Sequence, residues 1–139
     1  RRGLELGYNE FILYGTLDGP RLDHTIANVQ LLHFLAERGA VGYLVGNTAA
    51  ATVIKNKTAA FPKEATGYFS VFCLGSEAKG VTLKGAEYTL ENGTLVPDFP
   101  LGASNRFGGK KTVIRVENGT LLLVWDRENG LCEVTDEHA

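Results

Sequence analysis

The chain has 139 residues, of which 44% are hydrophobic and 22% are charged, with 14 Lys and Arg residues against 16 Asp and Glu residues. This length and composition predict one folded domain or two small ones, and they exclude extensive disorder. The formal net charge of -2 argues against a general binder of nucleic acid or of anionic membranes, since such proteins normally carry a basic excess. The longest apolar runs have about seven residues, whereas a transmembrane helix needs about 20.

The first residues do not have the pattern of a signal peptide. The chain contains no Met and opens on Arg1 in what reads as the last turns of a helix. We therefore expect a piece of a longer protein. The two cysteines, Cys73 and Cys132, lie far apart among apolar neighbours and are predicted to be reduced and buried, forming neither a disulfide nor a zinc site. Reduced thiols favour a cytoplasmic location.

Three Asn-x-Thr sequences begin at Asn56, Asn92 and Asn118. Each has a turn-like setting, and there is no secretory signal beside which glycosylation would be expected. We interpret all three as turns.

The first half of the chain has the pattern of an α/β unit. Glu10–Gly15 and Val41–Val45 are short apolar runs typical of buried strands. Between them, apolar residues recur every three or four positions up to Arg38 and predict a core-facing helix that ends at Gly39. Strand, helix and strand together predict a βαβ unit with parallel pairing. The apolar stripe comprises Leu22, Ile26, Val29, Leu32 and Ala36, widened by Leu31, Phe34 and Leu35.

After residue 50 the pattern changes to short strands separated by turn signals. Asn92-Gly93 and Asn118-Gly119 predict hairpin turns, and no helical periodicity follows Arg38. The predicted fold class is α/β followed by all-β. A βαβ remnant of an open parallel sheet domain (1–57) would pack closely on a β-sandwich or barrel-like domain (58–139). Strands are predicted at 51–55, 58–61, 68–74, 81–84, 86–90, 111–117 and 120–126.

The first candidate site is Gly19–His24, between the carboxyl end of a predicted strand and the start of a helix. Ligands bind at this place in open α/β sheets, and the helix N-terminus there favours phosphate. Arg21 would clamp phosphate oxygens, and Asp23 would bind magnesium or orient a hydroxyl. The alternative is structural: Asp23 caps the helix, Arg21 is a surface charge and His24 lies in the first turn.

The second candidate site is the segment 96–110, which has no clear periodicity. Loops of this length in compact domains are usually functional or disordered, and its prolines and phenylalanines argue against disorder. Ser104 and Asn105 offer donors and acceptors, and Phe107 offers an aromatic face for a cationic or heteroaromatic ligand. The alternative is an ordered crossover loop whose Phe residues fill the core.

Other motifs are weaker. Ser104, His24 and Asp23 do not form a credible hydrolase triad, because the chain has no Gly-x-Ser-x-Gly sequence and one helix start would have to present both partners. No Walker loop, dinucleotide fingerprint or His-Glu-x-x-His sequence occurs. Trp125 is predicted to lie in the core.

The two candidate sites, in this order, resemble the thiamine pyrophosphokinase (thiamine diphosphokinase) family. Gly19-Pro-Arg-Leu-Asp-His24, with Asn28, is similar to its Gly-Gly-Arg-x-Asp-His-x-x-x-Asn segment, with Pro20 in place of a usual Gly. Gly102-Ala-Ser-Asn-Arg-Phe107 is similar to its Gly-x-Ser-Asn-x-aromatic segment. The sequences 67–74 and 80–85, followed by Tyr88 and Leu90, resemble its thiamine-binding β-domain.

This resemblance implies transfer of the pyrophosphoryl group of ATP to the hydroxyl of thiamine, giving thiamine diphosphate and AMP. Arg21 and Asp23 would be catalytic, with His24 and Asn28 in support. Ser104 and Asn105 would hold thiamine, and Phe107 would stack on it. The resemblance further implies a homodimer with sites between its subunits.

The family's cofactor is Mg²⁺, used with ATP. Asp23 would share the ion with acidic residues outside this sequence, since the family's Asp-rich motif has no match here. These residues alone are therefore expected to show little or no catalysis. The alternative function is a non-catalytic β-module for small-ligand binding or dimerisation.

Overall fold

The computed structural model describes residues 2–14 and 22–136. Its elements in chain order are α1 (Arg2–Glu5), β1 (Glu10–Tyr14), α2 (Leu22–Glu37), β2 (Val41–Val45), β3 (Ala49–Lys55), β4 (Thr58–Phe61), β5 (Tyr68–Lys84), β6 (Leu90–Leu95), β7 (Asn105–Arg106), β8 (Thr112–Asp126), a 3-10 turn (Arg127–Asn129) and β9 (Glu133–Thr135).

The predicted βαβ unit is confirmed. Strands β1 and β2 pair in parallel from Glu10 opposite Val41 to Tyr14 opposite Val45, and α2 connects them in sequence. The helix ends where Gly39 adopts a φ of 75°. The N–H of Ala40 donates to the carbonyl of Leu35, and that of Gly39 donates to the carbonyl of Ala36. This is the double hydrogen bond of a Schellman end, which glycine permits because it has no Cβ.

The predicted apolar stripe of α2 is buried only in its second half. Leu32, Leu35 and Ala36 are buried, whereas Leu22 and Ile26 are exposed. The reason is geometric, because α2 packs on β2 and β3 and the described part of the chain places no sheet beneath its first turns. The expectation of a helix packed along its whole length on the core is therefore wrong for the first two turns.

The β-rich half does not follow the predicted series of short strands. β5 has 17 residues and β8 has 15, and the Asn92-Gly93 and Asn118-Gly119 sequences lie inside β6 and β8 rather than in hairpin turns. Near Asn92 the register between β5 and β6 shifts, as in a bulge. At Asn118-Gly119, β8 exchanges one partner strand for another. The two hairpin predictions are therefore wrong.

Within the described residues, nine strands form one mixed, curled sheet. Residues 120–126 of β8 pair with β3, whereas residues 112–115 pair with β4. Along its other edge β8 pairs with β5, which also pairs with β6 and β7. Apart from the β1–β2 pair, every pairing is antiparallel. β8 is thus the strand on which the sheet is organised.

The main core lies inside the curl of this sheet. Trp125 is buried as predicted, its ring meets that of Phe61 edge-on at 5.1 Å, and its indole N–H donates to the carbonyl of Gly130 at 2.8 Å. Cys73 and Cys132 are buried, as predicted, and neither forms a disulfide within the described residues. Burial raises the pKa of the Cys132 thiol to about 12, so this thiol stays protonated and unreactive at neutral pH.

The two halves share one sheet, since β3 pairs with β2 on one side and with β8 on the other. Alternate residues of β3 face opposite ways: Ala50 and Ile54 join the main core, whereas Ala51 and Val53 pack under α2. The Tyr43 hydroxyl adds a link by donating to the carbonyl of Cys132 at 2.9 Å. The division at residues 57 and 58 stays a prediction, and the sheet runs across it.

No helix in the part of the chain that the structure describes is long and apolar enough to cross a membrane.

Candidate functional site

A cavity of about 270 Å³ opens in the β-rich half beside the second candidate segment. Its walls are mostly leucine side chains from β5, β6 and the loop after β6, and its polar groups come from Asn105, Thr89 and the tyrosine Tyr88. A small apolar cavity with a few polar groups is the usual form of a site for a small organic molecule. The lining residues include Leu83, Leu90, Leu95, Leu101, Gly102 and Ala103.

Asn105 is buried, and its side chain hydrogen-bonds the loop between β5 and β6. Its Oδ1 accepts from the backbone N–H of Tyr88 at 3.0 Å, and its Nδ2 donates to the carbonyl of Tyr88 at 2.8 Å. The same Oδ1 accepts from the N–H of Arg106. Asn105 therefore fixes Tyr88 at the cavity wall, and this geometry favours a positioning role over direct contact with a ligand.

Gly102 and Ser104 shape the backbone of the cavity wall. The carbonyl of Gly102 accepts from the N–H of Val71 at 2.9 Å, and a Cβ at Gly102 would collide with the Val71 carbonyl oxygen. Ser104 has a φ of 58°, uncommon for a residue with a side chain. Its N–H donates to Ser70 Oγ at 2.9 Å, and its exposed side chain lies beside the cavity lining. Such strain is concentrated at functional sites.

Phe107 lies between the core and the surface. Its ring is 5.0 Å from that of Phe61 and 4.7 Å from that of Phe69, and Phe107 is half-buried. The ring is thus held by two neighbours, and it is not part of the cavity wall. The segment 96–110 is an ordered loop that contains the short strand β7, as its composition predicted.

The first candidate site is only partly described. Arg21 lies outside the described residues. Asp23 and His24 are exposed on the first turn of α2, where Asp23 Oδ1 accepts from the N–H of His24 at 3.0 Å. Asn28 lies one turn further along the helix and is half-buried. None of these residues lines the cavity beside Asn105, so one copy of the described chain does not bring the two candidate sites into one cavity.

The described residues also supply no magnesium site by themselves. Within 2–14 and 22–136, no group of three or more His, Cys, Asp or Glu residues could hold a metal ion, and Asp23 offers a single carboxylate. Magnesium prefers several oxygen ligands in octahedral geometry. The chemistry assigned below is accordingly limited to this chain's own side chains.

Tyr88 is the site residue that the analysis of individual motifs missed. It is exposed on the rim of the cavity, 17 positions before Asn105 in sequence. Only tertiary structure unites the two, since the contact depends on the loop after β5 folding onto β7. The sequence analysis placed Tyr88 in a predicted strand at 86–90, whereas the structure places it in the loop between β5 and β6, so that strand prediction is wrong.

The sequence of this region matches a known domain family. Residues 57–123 match the family described as thiamin pyrophosphokinase, vitamin B1 binding domain. The resemblance to thiamine pyrophosphokinase is thereby confirmed over the segment that contains Tyr88, Ser104 and Asn105. No curated protein matches the chain.

Solved structures extend the likeness to most of the chain. Thiamine pyrophosphokinase from Bacillus subtilis superimposes with a TM-score of 0.82 at 21% identity, over 90% of this chain and 59% of that chain. The enzyme from Geobacillus thermodenitrificans gives 0.76 at 26% identity, over 88% and 56%. Yeast thiamin pyrophosphokinase gives 0.66 at 19% identity, over 83% and 39%. The chain thus has the fold of these proteins and spans less than two thirds of their length.

Proposed function

We propose that the cavity beside Asn105 binds thiamine, and that the chain acts in the transfer of the pyrophosphoryl group of ATP to the hydroxyl of thiamine. The products would be thiamine diphosphate and AMP. The observation that carries this proposal is the position of the cavity inside the segment that matches the vitamin B1 binding domain.

The cavity's chemistry supports thiamine as the ligand. Four leucines and the Tyr88 side chain line the cavity and would provide apolar contact for a heteroaromatic ring system, and the face of a tyrosine ring attracts a cation such as the thiazolium of thiamine. The exposed hydroxyl of Ser104 would hydrogen-bond the ligand's polar groups. Asn105 would act through Tyr88, and Phe107, which lies outside this cavity against Phe61 and Phe69, would contact thiamine only beyond the cavity wall.

The catalytic side would be supplied by the start of α2. Arg21 would neutralise phosphate oxygens as negative charge moves during transfer, and Asp23 would orient the attacking hydroxyl or take part in magnesium binding. His24 and Asn28 would support them. Because the cavity and Asp23 lie apart in one copy, a homodimer with each site built from both subunits would bring them together. In the complete enzyme, Arg21→Ala should lower kcat more than it weakens thiamine binding.

The decisive experiment is calorimetric titration of the 139-residue chain with thiamine. Tyr88→Ala should weaken binding by about 5- to 150-fold, which corresponds to roughly 1–3 kcal/mol for a lost stacking contact. Tyr8→Ala is the matched control, since Tyr8 and Tyr88 are both 64% exposed but Tyr8 lies in the α/β half. Equal effects of the two substitutions, or no binding by the unaltered chain, would remove thiamine from this cavity.

The second candidate function is a binding module without catalysis. It is favoured by one observation: the cavity is formed entirely by residues of the β-rich half. AMP release from ATP, measured with magnesium and with or without thiamine, distinguishes the two. Thiamine-dependent AMP supports the kinase, whereas binding of thiamine without AMP release supports the module for this length of chain.

A further inference from the structure

Three cavities succeed one another on the surface of the β-rich half. The cavity beside Asn105 and a second one of about 350 Å³ have Thr89 as a common wall. The second cavity in turn shares Lys110 with an open cleft of about 650 Å³. The loop that carries Ser104 and Asn105 therefore continues directly into the walls of the larger cleft.

Basic residues line the last two of these cavities. We call Lys63, Arg106, Lys110 and Lys111 the basic track; Arg106 and Lys110 line the second cavity, and Lys63, Lys110 and Lys111 line the cleft. The acidic residues in the same walls are Glu87 and Glu133. The walls thus combine four positive charges with two negative ones, in a chain whose net charge is -2.

The lysines of the basic track differ from three of the four other lysines, since among those four only Lys84 also has no ion pair with a described carboxylate. Lys55, Lys57 and Lys79 each pair with a carboxylate. Among residues 2–14 and 22–136, no carboxylate lies within ion-pair distance of Lys63, Lys110 or Lys111. Three unpaired ammonium groups around one cleft repel one another, and an anion bound between them would relieve that repulsion.

Arg106 is held in place while its charge stays accessible. Its guanidinium carbon lies 5.1 Å from the centre of the Tyr68 ring, and its Nε lies 3.8 Å from a carboxylate oxygen of Glu87. Both members of this ion pair are about half exposed, so water screens the pair and its energy is small. An arginine oriented by an aromatic ring presents the planar fork that binds phosphate oxygens in pairs.

Apolar side chains also line the cleft, among them the buried Phe61 and the exposed Leu131. Walls of low polarity strengthen the field of charges around a cleft and concentrate anions there.

We infer that the basic track binds a chain of phosphate groups, either inorganic polyphosphate or the phosphate tail of a nucleotide. This site is distinct from the thiamine cavity and does not depend on the proposed function. The four cations line two adjacent cavities of about 350 and 650 Å³, an arrangement that suits a chain of phosphates better than one compact anion.

The test is calorimetric titration of the 139-residue chain with inorganic tripolyphosphate at near-physiological salt. The double variant Lys63→Gln with Lys110→Gln should bind at least about tenfold more weakly. The matched control is Lys79→Gln with Lys84→Gln, which removes the same charge elsewhere on the β-rich half and should change affinity less than about twofold. Equal losses in the two variants would overturn the inference, because they would reveal attraction to overall charge alone. So would the absence of tripolyphosphate binding.

Two further arms identify the ligand and guard against misfolding. If the double variant Lys63→Gln with Lys110→Gln also loses affinity for ATP, the phosphate tail is the part of the nucleotide that the basic track recognises. If the same variant still binds tripolyphosphate tightly, the inference is overturned. Lys110→Arg, with the charge kept, should bind as the unaltered chain does. Thiamine titration of the same samples should be unchanged, which separates this site from the thiamine cavity.

Discussion

In the β-rich half, Leu121 and Trp125 are almost wholly buried inside the curled sheet, whereas in the α/β half Leu22 is 73% exposed and Ile26 is 53% exposed. The β-rich half thus contains a closed core, whereas the α/β half presents an apolar helix face that no described residue covers. The candidate ligand cavity lies in the half with the closed core, and the candidate phosphate-transfer residues lie at the exposed helix start. The proposed binding residues and the proposed catalytic residues therefore lie in surroundings that differ in how completely their apolar side chains are buried.

The largest difference should appear when the same truncation is made in each half. Leu121→Ala removes a side chain with no exposed surface and should lower the free energy of unfolding by about 2–5 kcal/mol. Leu22→Ala should change it by less than about 0.5 kcal/mol. Denaturant unfolding of both variants measures this. Similar losses would mean that the first turns of α2 are packed in solution, and the contrast between the halves would fail.

A smaller effect is expected from two asparagines that hold the backbone of a distant residue. Asn105 binds the N–H and carbonyl of Tyr88, and Asn129 does the same for Thr66. Either substitution by Ala should lower the free energy of unfolding by about 1–3 kcal/mol.

Thiamine titration separates these two asparagines. Only Asn105→Ala should weaken thiamine binding, because Tyr88, which Asn105 holds, lines the cavity, whereas Thr66, which Asn129 holds, does not. Loss of binding in the Asn129 variant would indicate that the cavity responds to general loosening of the β-rich half.

The hydrogen bond between Tyr43 and Cys132, which joins the two halves, should contribute less to the free energy of unfolding. Tyr43→Phe removes the hydroxyl that donates to the buried carbonyl of Cys132 and should cost about 1–2 kcal/mol in thermal or denaturant unfolding. Tyr14→Phe is the control, since that hydroxyl is on an exposed side chain. A neutral result for Tyr43→Phe would mean that the shared sheet alone joins the halves.

The smallest expected effect is one of pH. Burial raises the pKa of Cys132 to about 12 from an ordinary value near 9, so the folded chain keeps a proton that the unfolded chain loses. Stability from this thiol is complete below about pH 9 and is lost as the pH rises toward 12, by about 1 kcal/mol at pH 10. The Cys132→Ala variant should show a shallower decline over this range. An unchanged slope would exclude the thiol as its source.

The sequence predicted local features well and long-range ones poorly. The βαβ unit followed from the helical spacing up to Ala36 and from Gly39, since both are local signals. The hairpin predictions from the two Asn-Gly pairs were wrong, because the same dipeptide is found in hairpin turns and in bulges. Only the position of the partner strand distinguishes the two. Asn118-Gly119 lies where β8 passes from β4 to β3, a change that no short window contains.

The same limit applies to the site. Ser104 and Asn105 were recognisable as a motif, because their spacing from Gly102 and Phe107 is local. The dependence of Tyr88 on Asn105 arises from the pairing of β5 with β7, so it could not be read from either segment. The basic track has the same origin, since Lys63 and Lys110 meet through tertiary structure.

The position of β8 has a consequence for dividing this protein into pieces. The matching domain family begins at residue 57, yet residues 120–126 of β8 pair with β3, which ends at Lys55. A chain cut at that boundary would keep the ligand cavity but leave the edge of β8 with its backbone N–H and carbonyl groups unpaired. The segment that matches the domain family is therefore shorter than the segment that folds together. A designer who transfers this domain to another protein needs to include β3.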